Sequence, residues 1–320
     1  MILLKQWQGG EWQMNYILRT TNLVKKFGDK EVISNVNMNI KKGEIYGFLG
    51  PNGAGKTTIM KMIVNLVKPS SGEIEIFGEK LNYKSYETLK RIGSIIEYPV
   101  FYDQLTGREN LDLHCEYMGY YDKSAIDRVL DLLNLKGIDN KAVSDFSLGM
   151  KQRLGIARAI ITKPEFLILD EPINGLDPIG IVEIRNLLKM LSSEYGITIL
   201  ISSHILAEIE QIADTIGIIN NGVLIQEVSM ESIREQNTEY VEIITTDCIS
   251  AVFILENDLN ISNFKIVDNT TIRIYDLRLA QKDISKALIL KGIEIEAINK
   301  KNSSLEDYFL KLLEGSGLSA

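Results

Sequence analysis

"GPNGAGKTT", residues Gly50 to Thr58, decides the fold. It satisfies the pattern G-x-x-x-x-G-K-[ST] between the apolar run "EIYGFLG" and the apolar segment "IMKMIVNLV". A strand feeding a glycine-rich loop that opens a helix is the context this motif requires. Gly50, Gly53 and Gly55 let the backbone curl through Pro51, Asn52 and Ala54, so that peptide N–H groups point inward at phosphate oxygens. The helix starting near Lys56 adds its positive end. Lys56 is expected to bridge the outer phosphates of a nucleotide, and the hydroxyl of Thr57 to ligate Mg²⁺, with Thr58 closing the loop.

The phosphate is easy to read; the machine that holds it must be read elsewhere. The chain has 320 residues, enough for one large domain and a small one. Its net charge of −8 argues against a nucleic-acid partner, which needs concentrated Lys and Arg. Cys115 and Cys248 lie far apart and outside any metal-ligand spacing. His114 is adjacent to Cys115, but neighbours on a helix point in different directions, which disfavours a ligand pair. No apolar run approaches the ~20 residues needed to span a bilayer, and "MILLKQWQ" is too short for a secretory signal. Residues 1–13 read as an extension, with Met14 expected to be the initiator; Gly9-Gly10-Glu11 would be encoded by purine-rich codons of the ribosome-binding kind.

Residues 14–228 alternate strands and helices, which predicts a largely parallel α/β core with antiparallel strands at its beginning and end. Helical patterns run over 56–67, 85–92, 107–120, 124–134 and 179–195, and "LAEIEQIAD" reads as another helix. "FLILD" and "ITILISS" read as buried strands, and "TIGIINNGVLIQEV" as a hairpin around Asn221-Gly222. After about residue 228 the texture changes. Residues 229–320 give the order β-α-β-β-α-β, the split βαβ or ferredoxin-like arrangement, as a small accessory α+β domain. A last helix, "SSLEDYFLKLLE", opens with Ser303 and Glu306 at capping-box spacing.

Four further stretches carry chemistry. "FLILDEP" ends a buried strand in Asp170 and Glu171. A carboxylate at the end of a strand neighbouring the phosphate loop can hold the Mg²⁺ shell, which suits Asp170. Glu171, one residue on, is placed to polarise a water aimed at the γ-phosphate. "FSLGMKQRLGIARAI" spans 146–160, "NGLDP" spans 174–178, and His204 follows "ILISS".

These pieces, in this order and spacing, resemble the ATP-binding subunit of ABC (ATP-binding cassette) transporters. The resemblance covers roughly residues 14 to 228. It implies a P-loop NTPase cassette of the α/β class, with a mostly parallel sheet core, an antiparallel β subdomain and a helical subdomain. It implies ATP and Mg²⁺ as cofactors, and hydrolysis of ATP to ADP and phosphate coupled to transport. Phe27 falls where the family stacks an aromatic ring on adenine; its plainer reading is a core phenylalanine. "FSLGM" matches the family's Leu-Ser-Gly-Gly-Gln signature at Ser147 and Gly149 only. In this family the signature of one subunit completes the site of another. A second copy of the chain is therefore an expected partner, in an ATP sandwich with Asp177 along the interface and His204 at the γ-phosphate. A separate multispanning permease is the other expected partner, which places the chain at the cytoplasmic face of a bacterial membrane.

The most informative departure lies in "IGSIIEYPVFYDQLTGRENL". Most family members have glutamine where this chain has Glu97, at the loop that reaches both Mg²⁺ and the membrane partner. Glutamate there, with "EPINGLDP" and "SSHILAEIEQIAD", resembles the branch that exports bacitracin and lantibiotics or protects lantibiotic producers from their own product. The competing reading is a soluble ABC-type ATPase of DNA maintenance or translation. Only ~90 residues separate the phosphate loop from the signature, without the sustained heptads of a chromosome-organising coiled coil. A second cassette, as in translation-associated members, is not found in the chain.

Overall fold

A computed structural model describes residues 16–137, 141–235 and 239–302, with 305, 308, 309 and 312 beyond them. Residues 1–13, Met14 and the Ser303–Glu306 capping box lie outside the described residues, as does most of the closing helix read from Ser303.

The described chain opens with a long antiparallel pair, β1 (Tyr16–Phe27) and β2 (Lys30–Lys41), followed by β3 (Ile45–Leu49) and helix α1 (Lys56–Ile63). Strands β4 (Ser71–Ile76) and β5 (Glu79–Lys80) precede α2 (Tyr86–Lys90) and β6 (Ile92–Ile95). Three helices come next: α3 (Gly107–Met118), α4 (Lys123–Leu132) and α5 (Leu148–Ile160). Then follow β7 (Phe166–Leu169), α6 (Pro178–Ser193), β8 (Thr198–Ser203), α7 (Leu206–Glu210), β9 (Thr215–Asn220), β10 (Val223–Ser229) and α8 (Met230–Glu235).

The central sheet has the order β10-β9-β3-β8-β7-β6, parallel from β9 to β6, with β10 antiparallel at its edge. Strands β3, β7 and β8 are buried along their whole length. That explains why "FLIL" reads as an unbroken apolar run, and why Thr198, Ser202 and Ser203 of "TILISS" are buried rather than alternating outward. A second sheet, β2-β1-β4-β5, is antiparallel throughout. Its inward residues Leu23, Ile33, Met38 and Ile40 share one core with Tyr46, Phe48, Phe166 and Leu200 of the central sheet. Helix α1 supplies Ile59, Met60, Met62 and Ile63 to that same core, which fixes the phosphate loop's helix from below. Tyr46 is fully buried, and burial, reinforced by the Glu227 carboxylate, pushes its hydroxyl well above the ordinary range. It stays protonated and donates to Glu227 Oε2 at 2.9 Å.

Several helices end before their patterns do, α1 and α7 furthest. The run over 56–67 stops at Ile63, because Asn65 turns left-handed at φ 61 and ends the helix. "LAEIEQIAD" is helical only to Glu210. Asp214 is instead spent on accepting the N–H of Ile45 at 2.8 Å, which starts β9 beside β3.

The chain divides into two compact units, Met1–Met230 and Glu231–Ala320. In the second, β11 (Glu239–Thr245), α9 (Cys248–Asn257), β12 (Phe264–Ile266), β13 (Thr271–Ile274), α10 (Gln281–Leu290) and β14 (Ile295–Asn302) follow one another. Their sheet order is β12-β13-β11-β14, with every pairing antiparallel. This is the split βαβ topology, with Ile243, Ile272 and Ile274 of the sheet packed against Ala251 and Leu255 of α9 and Ile284 and Leu288 of α10.

Candidate functional site

Four neighbouring parallel strands deliver the chemical residues to one edge of the central sheet. Gly50 follows β3, His204 follows β8, Asp170 and Glu171 follow β7, and Glu97 stands two residues beyond β6. The carboxyl edge of an open α/β sheet is where ligands bind. Asp170 lies beside the phosphate loop as expected, although β8 stands between β3 and β7 in the sheet. Thr57, on the first turn of α1, closes that gap by donating its hydroxyl to Asp170 Oδ2 at 2.8 Å.

Asp170 is nearly fully buried, a costly place for a carboxylate unless donors surround it. Besides Thr57, Ser202 donates its hydroxyl to Oδ1 at 2.7 Å, and the Glu97 N–H approaches Oδ2 at 3.4 Å. The Ser202 oxygen in turn accepts the Glu171 N–H at 2.9 Å, tying both acids to β8. Lys56 is also buried, and its ammonium donates to the carbonyls of Gly50 at 2.6 Å and Pro51 at 3.3 Å. Its third neighbour is Glu171 Oε1 at 3.5 Å. The other oxygen of Glu171 meets Nδ1 of His204 at 2.8 Å. A carboxylate can only accept, so Nδ1 carries the hydrogen in this contact.

Two of these acids sit on strained backbone. Glu97 (φ 62) and Glu171 (φ 49) occupy the left-handed region, where a side chain other than Gly or Asn is unusual. The loop itself uses the same region at Gly55, whose φ is 110 and where a Cβ would stand 2.5 Å from Ile33. Behind the loop, the hairpin turn at Gly222 holds it in place. The Gly222 N–H donates to the Ala54 carbonyl at 2.9 Å, and its carbonyl accepts from Ser34 N–H at 2.9 Å.

A crevice of about 190 Å³ is lined by Thr57, Glu97, Asp170 and Glu171 together with Tyr98, Leu148, Gln152 and Asn174. The structure thus brings Lys56, Thr57, Asp170, Glu171, His204 and Glu97 together. Phe27, Ser147, Gly149 and Asp177 do not line the crevice. Phe27 is not a core residue: its ring is half exposed, with the Lys25 ammonium 4.7 Å from the centroid. Ser147 and Asp177 each start a helix. The Met150 N–H donates to Ser147 Oγ at 3.3 Å at the head of α5, and the Gly180 N–H donates to Asp177 Oδ1 at 2.9 Å at the head of α6.

Sequence reasoning missed Ser202, Gln152, Asn174 and Lys61. The signal for Ser202 was available: a serine ending a fully buried strand must find a partner, and the acids after the neighbouring strand are the obvious one. Lys61 stands four residues after Thr57, on the same helix face. His114 is half-buried, and burial, with Arg158 nearby, lowers its imidazole to about 4, which keeps it neutral. No cluster of three His, Cys, Asp or Glu that could hold a metal occurs among the described residues.

Comparison with known proteins places this geometry. A family model described as ABC transporter matches residues 33–174. Over 307 residues the chain is 64% identical to an uncharacterized ABC transporter ATP-binding protein, YcbN of Bacillus subtilis (strain 168), spanning 96% of this chain and 100% of the relative. The chain belongs to the ABC transporter ATP-binding subunits. It is an ATP-binding ATPase of that family. It is also 47% identical over 302 residues to the bacitracin transport ATP-binding protein BcrA of Bacillus licheniformis, covering 94% of this chain and 99% of the relative. Among solved structures it resembles a dimeric post-hydrolysis state of the ATP-binding cassette MJ0796 bound to ADP and Pi, at 28% identity and a TM-score of 0.61. That match covers 67% of this chain and 98% of the neighbour.

Proposed function

We propose that this ABC ATPase is the motor of an exporter of bacitracin-like peptide antibiotics, with lantibiotics the alternative cargo that the sequence suggests. The observation that carries the motor reading is the placement of Glu171, whose carboxylate stands between Lys56 and His204 at the mouth of the phosphate loop. The cargo reading is supported by likeness to the bacitracin transport subunit along nearly its whole length, tail included.

In this reading Gly50 to Thr58 wrap the ATP phosphates. Lys56 exchanges the carbonyls of Gly50 and Pro51 for phosphate oxygens, and Phe27 offers its open ring to adenine. Glu171 orients a water and takes its proton. His204 cannot donate from both nitrogens as a neutral ring. To give a hydrogen bond to the γ-phosphate from Nε2 it must be protonated or let go of Glu171. The donor set fits Mg²⁺: Thr57 Oγ1 and Asp170 Oδ2 are hard oxygens 2.8 Å apart, with the Glu97 carboxylate in the same crevice. Mg²⁺ bound there would neutralise charge developing on the phosphates.

The site is completed by a second copy of the chain, whose Ser147 and Gly149 at the positive end of α5 meet the γ-phosphate, with Asp177 along the same interface. A separate multispanning permease supplies the path across the membrane, and the motor works at its cytoplasmic face. No helix among the described residues is long and apolar enough to cross a membrane. A bacterial strain that lacks this chain should become more sensitive to bacitracin, and restoring the chain should restore tolerance. Sensitivity unchanged to both bacitracin and lantibiotics in growth-inhibition assays would remove the cargo assignment.

A further inference from the structure

Lys61 stands one helical turn beyond Thr57 on α1, and its ammonium meets Glu97 Oε1 at 2.6 Å. Glu97 is held on left-handed backbone, with its own N–H near Asp170, so the position of this acid is set by the fold rather than by its side chain alone. The crevice concentrates negative charge: Glu97, Asp170 and Glu171 all line it. Among the described residues, the Lys56 ammonium faces Glu171 and the Lys61 ammonium faces Glu97. A nucleotide triphosphate adds several further negative charges, and like charges at this range repel.

We propose that Lys61 is a positioning residue that offsets the Glu97 carboxylate, so that an acid can occupy this place without repelling incoming ATP. The inference rests on the reading of the crevice as the ATP site. Its content is that Lys61 acts through the charge of Glu97. An amide at position 97 needs no such partner, so the contribution of Lys61 should vanish when Glu97 is replaced by Gln. Glu97 is 60% exposed and Lys61 30%, so the pair is screened by salt and supplies little fold stability. Its consequence is read in the affinity for a polyanion.

The test is equilibrium titration of the full chain with a fluorescent ATP analogue, in EDTA at low salt, so that neither hydrolysis nor Mg²⁺ contributes. Wild type, Lys61→Met, Glu97→Gln and the double variant are compared. Lys61→Met should bind about two- to five-fold more weakly than wild type, with the gap closing as salt is raised. The double variant should bind as Glu97→Gln does. A Lys61→Met chain with wild-type affinity overturns the proposal. So does a deficit that persists in the double variant, because Lys61 would then touch phosphate itself or shape α1. If wild type binds no nucleotide even with Mg²⁺ restored and a non-hydrolysable analogue, the reading of the crevice fails at its root and takes the proposal with it.

Discussion

Replacing Glu171 with Gln is expected to cut ATP turnover by about 10²–10⁴-fold while ATP binding survives. Glutamine has the same shape and the same Cβ, so the left-handed backbone at φ 49 is no worse for it. Its amide oxygen can still accept from His204 Nδ1, as Oε2 does at 2.8 Å. What it cannot do is take a proton from water. The carboxylate is also half of the contact with Lys56, 3.5 Å away, so its neutralisation leaves that ammonium freer for phosphate. Affinity for ATP should therefore hold or rise. Phosphate release measured beside a binding titration separates the two effects. Turnover at the wild-type rate in this variant would move the base to another residue.

Lys56→Ala should act earlier, lowering nucleotide affinity on the order of 10²-fold, the scale for removing one partner of a desolvated charge pair. The lysine is buried, and its three neighbours are two loop carbonyls and Glu171, an arrangement that phosphate oxygens can replace one for one. Without the ammonium, the Gly50 carbonyl and Glu171 lose a donor, and negative charge in the site rises by one. The same titration decides it. Wild-type affinity would mean that the loop holds phosphate by its backbone alone.

Much of this site was legible because the strands that feed it are buried on both faces. Largely apolar runs leading into Gly50, Asp170 and His204 mark buried strands whose ends share an edge in a parallel sheet. Strand order was not legible. Nothing in "FLILDEP" says that β8 inserts between β7 and β3, because a sheet's order is set by crossover packing rather than by local pattern. Ser202 and Lys61 escaped for a related reason: each matters through a partner 32 or 36 residues away in sequence. Helix ends escaped because single residues decide them. Asn65 stops α1 early through its left-handed backbone, which apolar periodicity does not register.

The central claim is that ATP is hydrolysed between two copies of this chain, and mixing two inactive variants tests it most directly. Lys56→Ala disables the phosphate loop. Ser147→Arg removes the cap of α5 and puts a long side chain at the helix N-terminus, blocking the approach of the phosphate that is to bind there. Each variant alone has two damaged sites per dimer and should hydrolyse ATP slowly. A heterodimer can collect both lesions at one site and leave the other intact. ATPase activity should recover in part when the two are mixed, while neither variant gains when more of itself is added. Full activity of Ser147→Arg alone, or a mixture no faster than the average of its components, would contradict the shared site.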